Sequence, residues 1–476
     1  MAGIGFVLER LLVQGGVKNI LLVAMSGTAL IAGPWLLSAA SIFLAVSLVP
    51  QQVAAPFQQT LVYLFAGSLL LFGGFHLTYT RKVADLHFYG MKRAQRRLLL
   101  KSLMKVAAAS LLLGFGLAWF AAAEEPTIAA LREGTVSRRY LLQGVVIAVM
   151  MMAVNVSFLE MIHATQIERF VLVPLGYVFG GVAIIALARP LTESLGLLGM
   201  YAAFTVGFIL VDIFLFFVSL SPKRKSSRPS ASDEETTPAE QTSPPAGGSR
   251  REVLELWVAG SALYILLWMD KLYYWIVLGS PVAGTGLSGY PDYDVAIFWG
   301  QITIIPGLIY YLVAGETDFF RELRRTVRAV MNRPYAGVQL QKIQLIKVHK
   351  YHLSRQTLLQ FAFVAALLPL TPHLAALIYG DTDGTTTILM VLIGSALYLT
   401  HYTLFISLLY FKRYREAAGS TAAAILVTLL LLIIPDRPEL WLGLPFALGS
   451  LAGMGVSSLF FLKSAHLLDR QLLTRR

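Results

Sequence analysis

Apolar stretches of about 20 residues recur from one end of this 476-residue chain to the other. Such a stretch, coiled as an α-helix, crosses the roughly 30 Å hydrocarbon core of a bilayer. Charged residues make up only 14% of the chain, against about 25% in an ordinary soluble domain. The alternating segments of about 10 residues that form a transmembrane β-barrel do not occur. The sequence therefore predicts an all-α polytopic membrane protein.

Twelve transmembrane helices are predicted, in two groups of six. The predicted spans are 20–49, 59–79, 106–123, 140–162, 170–188, 195–218, 253–279, 295–314, 356–378, 386–411, 417–434 and 440–462. Residues 221–251 are rich in Ser, Pro and charge and lack apolar periodicity, so we expect a disordered cytoplasmic linker. This linker divides the chain into two six-helix lobes, 1–220 and 252–476, whose loops have matching lengths.

The distribution of Lys and Arg predicts the orientation. With both termini in the cytoplasm, all but six of the 39 Lys and Arg residues fall in cytoplasmic segments. The exceptions are Arg132, Arg138, Arg139, Arg189, Arg437 and the intramembrane Lys271. This is a strong positive-inside pattern, and it explains the net charge of +12 without a nucleic-acid partner.

The sequence favours a transporter or a scaffold over an enzyme. It contains no GxxxxGK[ST] phosphate-binding loop, no HExxH zinc motif and no nucleophile elbow. Cysteine is absent, which excludes disulfides, thiolate metal sites and Cys nucleophiles. The predicted loops are too short for a catalytic domain, and no cofactor or metal is expected.

Asp270 and Lys271, in the stretch LWMDKLYYWIVLG, are the most interior charged residues of the predicted spans. A charge at mid-membrane costs about 2.5–3.5 kcal/mol on insertion scales, so it usually faces a cavity or a partner. Adjacent helical residues point about 100° apart, so we expect each to contact something other than its neighbour. Tyr264, Trp268, Lys271 and Trp275 form one helical stripe, chemically suited to lining a sugar path. An interfacial aromatic belt with a snorkelling Lys271 is the alternative.

Two further features point to a transport path. Span one contains SGTALIAGPWLLSAAS and span eight contains ITIIPGLIYY, so Pro34, beside Trp35, and Pro306 interrupt their helices. Such breaks are tolerated at membrane depth only where protein or a water-filled cavity satisfies the freed backbone. Alternatively, Gly and Pro are simply frequent in membrane helices. We assign Trp35 to the path with the stripe of span seven.

The remaining intramembrane polar groups receive other assignments. Asp212, in GFILVDIFLFF, and Asp270 are candidates for proton or ion coupling. Glu160 is expected at the cytoplasmic membrane interface, and His76 and His401 are expected to pack between helices.

Two long basic loops, RKVADLHFYGMKRAQRRLLLKSLMK and GETDFFRELRRTVRAVMNRPYAGVQLQKIQLIKVHKYHLSR, hold equivalent places in the two halves. Both are predicted to be helical, and we expect them to bind a cytoplasmic partner and anionic headgroups. The assigned docking residues are Arg93, Arg96, Arg97, Arg321, Arg324 and Arg325.

Several stretches together resemble the PelG family of Pel exopolysaccharide exporters. They are MAGIGFVLERLL, GPW, RKVADLHFYG, DKLYYW and YDVAIFWGQITIIPGLIYYLVAGETDFFRE. The resemblance covers nearly the whole chain, but the 221–251 linker is long for the family and the last four spans match mainly in pattern. It implies membership of the multidrug/oligosaccharidyl-lipid/polysaccharide flippase superfamily, in the bacterial inner membrane. The implied cargo is an amino-sugar polymer rich in N-acetylgalactosamine.

The resemblance also implies partners: a cytoplasmic Pel glycosyltransferase, a membrane subunit that senses cyclic di-GMP and a tetratricopeptide-type subunit. Our hypothesis is a translocator of a growing polysaccharide, driven by chain elongation or by a proton gradient. Three alternatives stay open: a proton-coupled small-solute carrier, a flippase for lipid-linked oligosaccharides and a non-transporting scaffold for the synthase.

Overall fold

The computed structural model describes residues 43, 47–121, 138–167, 169, 172–221, 249–380, 382, 384–434 and 442–467. Within these residues, eleven helices are long and apolar enough to cross a membrane. Each of the predicted spans from the second to the twelfth coincides with one of them. The first predicted span, with Pro34 and Trp35, and nearly all of the predicted linker lie outside the described residues. The chain is thus an all-α multi-pass membrane protein.

The helices follow one another along the chain, with the longest connections between α2 and α3 and between α5 and α6. In the N-terminal half they are α1 (Gln51–Phe88), α2 (Lys92–Ala121), α3 (Arg138–Gln166), α4 (Val173–Leu195) and α5 (Leu197–Leu220). The C-terminal half begins with α6 (Arg250–Val277), the strand pair β1 (Ser280–Pro281) and β2 (Ser288–Gly289), α7 (Pro291–Ile302) and α8 (Ile305–Tyr310). A π-helix (Tyr311–Gly315), α9 (Glu316–Asn332), α10 (Tyr335–Leu367), a 3-10 turn (Leu368–Leu370) and α11 (Thr371–Tyr379) follow. The chain continues with α12 (Thr385–Tyr410), α13 (Tyr414–Leu432) and α14 (Leu444–His466).

The two ends of the helical bundle differ in chemistry. At one end, Arg96 on α2 donates to the carbonyl of Leu220, the last residue of α5. At the same end, Arg415 at the start of α13 pairs with Glu255 at the start of α6. We call this the basic end. The opposite end carries the antiparallel β1–β2 pair, in which Ser280 faces Gly289, and we call it the hairpin end.

Buried apolar side chains form two main clusters. One is built from residues 49–218 of the N-terminal half, and it also takes in Leu287 and Trp268 from the C-terminal half. The other is built from residues 259–465. Large apolar side chains such as Leu112 and Leu377 are 75% and 81% exposed on the outside of the bundle, as expected for surfaces that contact lipid.

Small residues allow α1 and α6 to approach each other closely. A Cβ atom added at Gly260 would lie 3.0 Å from the carbonyl oxygen of Gly73. One added at Gly74 would overlap the Trp257 carbonyl and lie 2.5 Å from Ser261 Oγ. In a bilayer, such close backbone packing replaces the hydrophobic effect as the force that joins helices.

The interruption predicted at Pro306 is present. Helix α7 ends at Ile302, α8 starts at Ile305, and a π-helix follows it. Pro lacks the backbone N–H that would continue the helical hydrogen bonds. The buried Gln360 of α10 donates from Nε2 to the Thr303 carbonyl at 2.9 Å. Protein therefore satisfies a carbonyl at the break, as a membrane interior requires.

Candidate functional site at the junction of the two halves

Helices α1 and α6 run antiparallel and form the main contact between the two halves among the described residues. Near the hairpin end, Tyr63 stacks on Trp275 with ring centroids 4.5 Å apart. Nearer the basic end, the Tyr264 ring lies directly against Gly73. Trp268, between them, packs against the N-terminal core. The structure thus brings the predicted aromatic stripe of α6 to the junction between the halves. Trp275 is only 1% exposed, which argues against the belt interpretation for this face.

Asp270 and Lys271 lie beside the aromatic stripe of α6 and are buried to 1% and 4% exposure, with Lys271 Nζ 5.2 Å from the centre of the Trp268 ring. The Lys271 Nζ is 3.6 Å from Asp270 Oδ1 and donates to the Leu267 carbonyl at 2.6 Å. Asp270 also accepts a hydrogen bond from the Tyr293 hydroxyl. The expectation that these neighbours do not pair is therefore wrong. The reason is that the flexible lysine stem folds back along the helix, which the 100° separation of adjacent positions does not prevent.

A second carboxylate, Asp294, completes a charged cluster that sequence reasoning did not single out. Asp294 lies in the first turn of α7 and accepts from Trp275 Nε1 at 2.8 and 2.9 Å. It also accepts from the backbone N–H of Tyr290. Both Asp270 and Asp294 attract the Lys271 ammonium. The sequence does contain a signal for Asp294: the stretch YPDYD precedes the predicted span. Pro followed by acidic residues is typical of the first turn of a helix.

The β1–β2 connection fastens the halves at the hairpin end. The Ser288 carbonyl accepts from Gln59 Nε2 at 2.7 Å and from the Tyr63 hydroxyl at 2.9 Å. Leu287, 3% exposed, inserts into the N-terminal core. We call Gln59, Tyr63, Leu287 and Ser288 the hairpin latch. Its contacts close the junction at the hairpin end.

The N-terminal half contains a separate pair of acidic residues. Glu160 is 2% exposed and Asp212 is partly buried, and the two carboxyls lie within electrostatic range of each other. Glu160 Oε2 and Asp212 Oδ1 have no hydrogen-bond partner among the described residues. Glu160 is thus packed between helices, while its depth at the membrane interface stays a prediction. The predicted coupling residue Asp212 therefore has a second carboxyl beside it.

The predicted packing histidines differ in how they are satisfied. His401 is fully buried, with Nδ1 3.3 Å from Ser457 Oγ and Nε2 3.2 Å from Thr421 Oγ1, which confirms its packing role. His76 is also buried, and its Nε2 finds no partner within the described part of the chain. In that same part, no group of three or more His, Cys, Asp or Glu residues is placed to hold a metal ion.

The predicted docking arginines fall into two groups. Three are engaged within the chain: Arg96 with the Leu220 carbonyl, Arg321 with Asp318 and Arg325 with Glu322. Arg324 lies over the Phe320 ring, 4.5 Å from its centroid. Arg93 and Arg97 are exposed on the first turns of α2, so they are the members of the set most available to a partner.

The fold is that of transporters in the MATE family of the MOP superfamily. A crystal structure of a MATE protein in a bent conformation has a TM-score of 0.64 at 14% identity, covering 98% of this chain and 99% of the other. An outward-facing multidrug resistance MATE family transporter of the MOP superfamily gives 0.58 at 13% identity, with 97% and 98% covered. A MOP superfamily transporter from Pyrococcus furiosus gives the same values. At these identities the likeness shows the fold alone.

The family follows from the sequence itself. The PelG family model, described as "Putative exopolysaccharide Exporter (EPS-E)", matches residues 1–472. The chain belongs to the PelG family, which confirms the resemblance carried by GPW, DKLYYW and the span-eight block. No curated protein matches the chain. The family is one of exopolysaccharide exporters by its description.

Proposed function

We propose that this protein translocates a growing Pel-like exopolysaccharide, an amino-sugar polymer rich in N-acetylgalactosamine, across the bacterial inner membrane for the biofilm matrix. The observation that carries the proposal is the junction itself: charged and aromatic side chains lie buried where two halves of an exporter-family chain meet. A purely structural interface in a membrane is built more cheaply from small and apolar residues. The basic end faces the cytoplasm, with both termini, by the positive-inside rule.

The halves, 1–220 and 252–476, act as lobes that part at the hairpin end. Opening there requires Ser288 to leave Gln59 and Tyr63, and Leu287 to leave the N-terminal core. The Tyr63 and Trp275 rings then separate and offer flat faces to sugar C–H groups. Asp270 and Lys271 supply the hydrogen bonds that hydroxyl and acetamido groups take. Trp268 and Tyr264 extend this path toward the basic end, and Trp35 is assigned to it from the sequence alone.

Two energy sources fit the structure. Elongation by the synthase can push the polymer, in which case the lobes need only open. Alternatively, a proton gradient acts through Asp212, with Glu160 beside it, or through Asp270. Unpaired buried carboxyls are the groups whose protonation state responds most to their surroundings. Loss of export in Asp212→Asn at full synthase activity favours the gradient.

The basic end is the surface on which we place the partners. These are the cytoplasmic glycosyltransferase, the cyclic di-GMP-sensing subunit and the tetratricopeptide-type subunit. Arg93 and Arg97 on α2 are exposed there. The second basic segment forms most of the helical pair α9 and α10. Exposed arginines of this kind bind acidic protein surfaces and set association rates.

The test is export by Asp270→Asn and Lys271→Met, made singly and together in cells that carry the remaining machinery. Hexosamine polymer outside the inner membrane is quantified at matched membrane abundance and matched co-purification of the synthase. We expect export to be lost from an assembled complex. Lys463→Met, an exposed lysine near the end of α14 and outside the two basic segments, is the matched control and should export normally.

Unchanged export in the double variant would show that the pair is structural and would overturn this site. Polymer appearing outside cells although a bulky crosslinker fills the junction would overturn the conduit itself. The chain would then be a scaffold for the synthase.

A further inference from the structure

One face of α10 runs without interruption from the lipid-facing side of the bundle onto the basic end. Leu358, Leu359 and Phe363 on this face are 71%, 44% and 38% exposed, as lipid-contacting side chains are. Toward the start of the helix, the same face turns cationic. A concavity of about 390 Å³ marks the change; it is lined by Lys347, Lys350, Tyr351, Ser354, Arg355 and Leu358. The depression therefore has apolar side chains toward the lipid, which we call the apolar wall, and cationic side chains toward the start of the helix, which we call the cationic rim.

The concavity lies at headgroup depth. Residues 358–377 rise roughly 30 Å, the thickness of the hydrocarbon core. Arg355 then lies roughly 5 Å beyond that core and Lys350 roughly 12 Å beyond it. The headgroup layer is roughly 5–8 Å thick on each side, and a lysine stem reaches several ångströms back into it. Tyr351, between the two cations, is the residue type expected at such a border.

The positive charge of the rim is not neutralised within the protein. The three carboxylates of α9 are all engaged elsewhere: Glu316 with Tyr410, Asp318 with Arg321 and His352, and Glu322 with Arg325 and Gln341. Lys347 and Lys350 are exposed and form no ion pair with any residue that the structure describes. These cations are therefore available to an anion from outside the chain.

Arg355 is held in position for such an anion. Its Nη1 donates to the Tyr351 hydroxyl at 2.6 Å, and its guanidinium lies 5.1 Å from the centre of the Tyr351 ring. A guanidinium carries five N–H donors, so further donors remain for a phosphate. The Ser354 hydroxyl lines the same depression and adds another donor.

We propose that this concavity binds an anionic phospholipid. The headgroup phosphate lies between Lys350, Arg355 and Ser354, with Lys347 one turn further out, and an acyl chain runs along Leu358 and Leu359. The cationic residues of the rim continue directly into the apolar, lipid-facing side chains of α10. This continuity favours a phospholipid over a soluble phosphate, because a soluble phosphate has no apolar part that could contact those side chains. The bound lipid fixes the depth of α10, and with it the height of the α9–α10 pair above the membrane.

The experiment is native mass spectrometry of the full-length chain released from nanodiscs of phosphatidylglycerol and phosphatidylcholine. We expect wild type to retain phosphatidylglycerol preferentially. Lys350→Gln with Arg355→Gln should weaken its retention by about thirty-fold, since each headgroup-level cation contributes about a fivefold share. The matched control is Arg328→Gln with Arg333→Gln, which removes the same charge nearer the α9–α10 turn and should leave occupancy unchanged.

Four outcomes would overturn the proposal. One is equal loss in both double variants, which would indicate diffuse attraction; another is equal retention of phosphatidylcholine. The third is displacement of the lipid by millimolar inorganic phosphate, which would assign the rim to a soluble phosphate group. Unchanged lipid retention with selective loss of a co-purifying synthase would assign the surface to a protein partner instead.

Discussion

The two ends of the α1–α6 contact are built in different ways. At the hairpin end, two side chains donate to one carbonyl, that of Ser288, and one leucine inserts into the opposite core. Toward the basic end, Gly73, Gly74 and Gly260 bring backbone against backbone. Hydrogen bonds to a single carbonyl can be exchanged for water when the end opens. Close backbone packing in a bilayer has no such substitute. If the lobes part as proposed, the hairpin end is the gate and the glycine contact is its pivot.

The largest effect should come from locking the gate. The chain contains no cysteine, so Gln59→Cys with Ser288→Cys can be crosslinked across the halves without background. We expect crosslinking to abolish export and reduction to restore it, because the hairpin latch must open. The control is Pro281→Cys with Ser288→Cys, which joins two residues paired within the hairpin and should leave export intact. Full export by a fully crosslinked protein would exclude the latch as a gate.

A smaller effect should follow from disturbing the pivot. Gly74→Val places branched carbons against the Trp257 carbonyl and Ser261 Oγ, and forcing atoms into a packed contact costs about 1–3 kcal/mol. We expect the free energy of unfolding in detergent to fall by about that amount. A Cβ at Gly116 meets nothing within 4 Å, so Gly116→Val is the control and should change it by less than about 0.5 kcal/mol. An equal loss of unfolding free energy in both variants would mean that the Gly-to-Val change acted through helix propensity and not through the α1–α6 contact.

The smallest effect should come from loosening the latch. Tyr63→Phe removes one of the two donors to the Ser288 carbonyl and keeps the ring on Trp275. A hydrogen bond of this kind contributes about 1 kcal/mol, so the open state should gain about fivefold in population. The measurement is the rate at which a thiol reagent labels Leu287→Cys. Tyr140→Phe, on an exposed tyrosine at the start of α3, should not change that rate; faster labelling there would point to a general loosening.

The site was predictable only in part. The sequence located Asp270, Lys271 and the aromatic stripe, because charges and rings are conspicuous inside an apolar run. It did not predict Asp294, Tyr63 or Gln59, since each lies at the edge of a predicted span, where polar residues are ordinary. These residues matter because they contact residues that are distant in the sequence; Gln59 and Ser288, for example, are 229 residues apart. Whether Trp35 joins them stays a prediction, as it lies outside the described residues.

The sequence by itself determined which segments enter the membrane and where one of them breaks. Hydrocarbon requires about 20 apolar residues per crossing and internally paired backbone, and both demands are visible locally. Eleven of the predicted spans and the break near Pro306 follow from this. Only the tertiary structure decided which faces meet. It paired Lys271 with Asp270, buried Glu160 beside Asp212 and closed the hairpin latch. Between helices that are all apolar, shape and single polar contacts select the partner, and these exist only once the helices have packed.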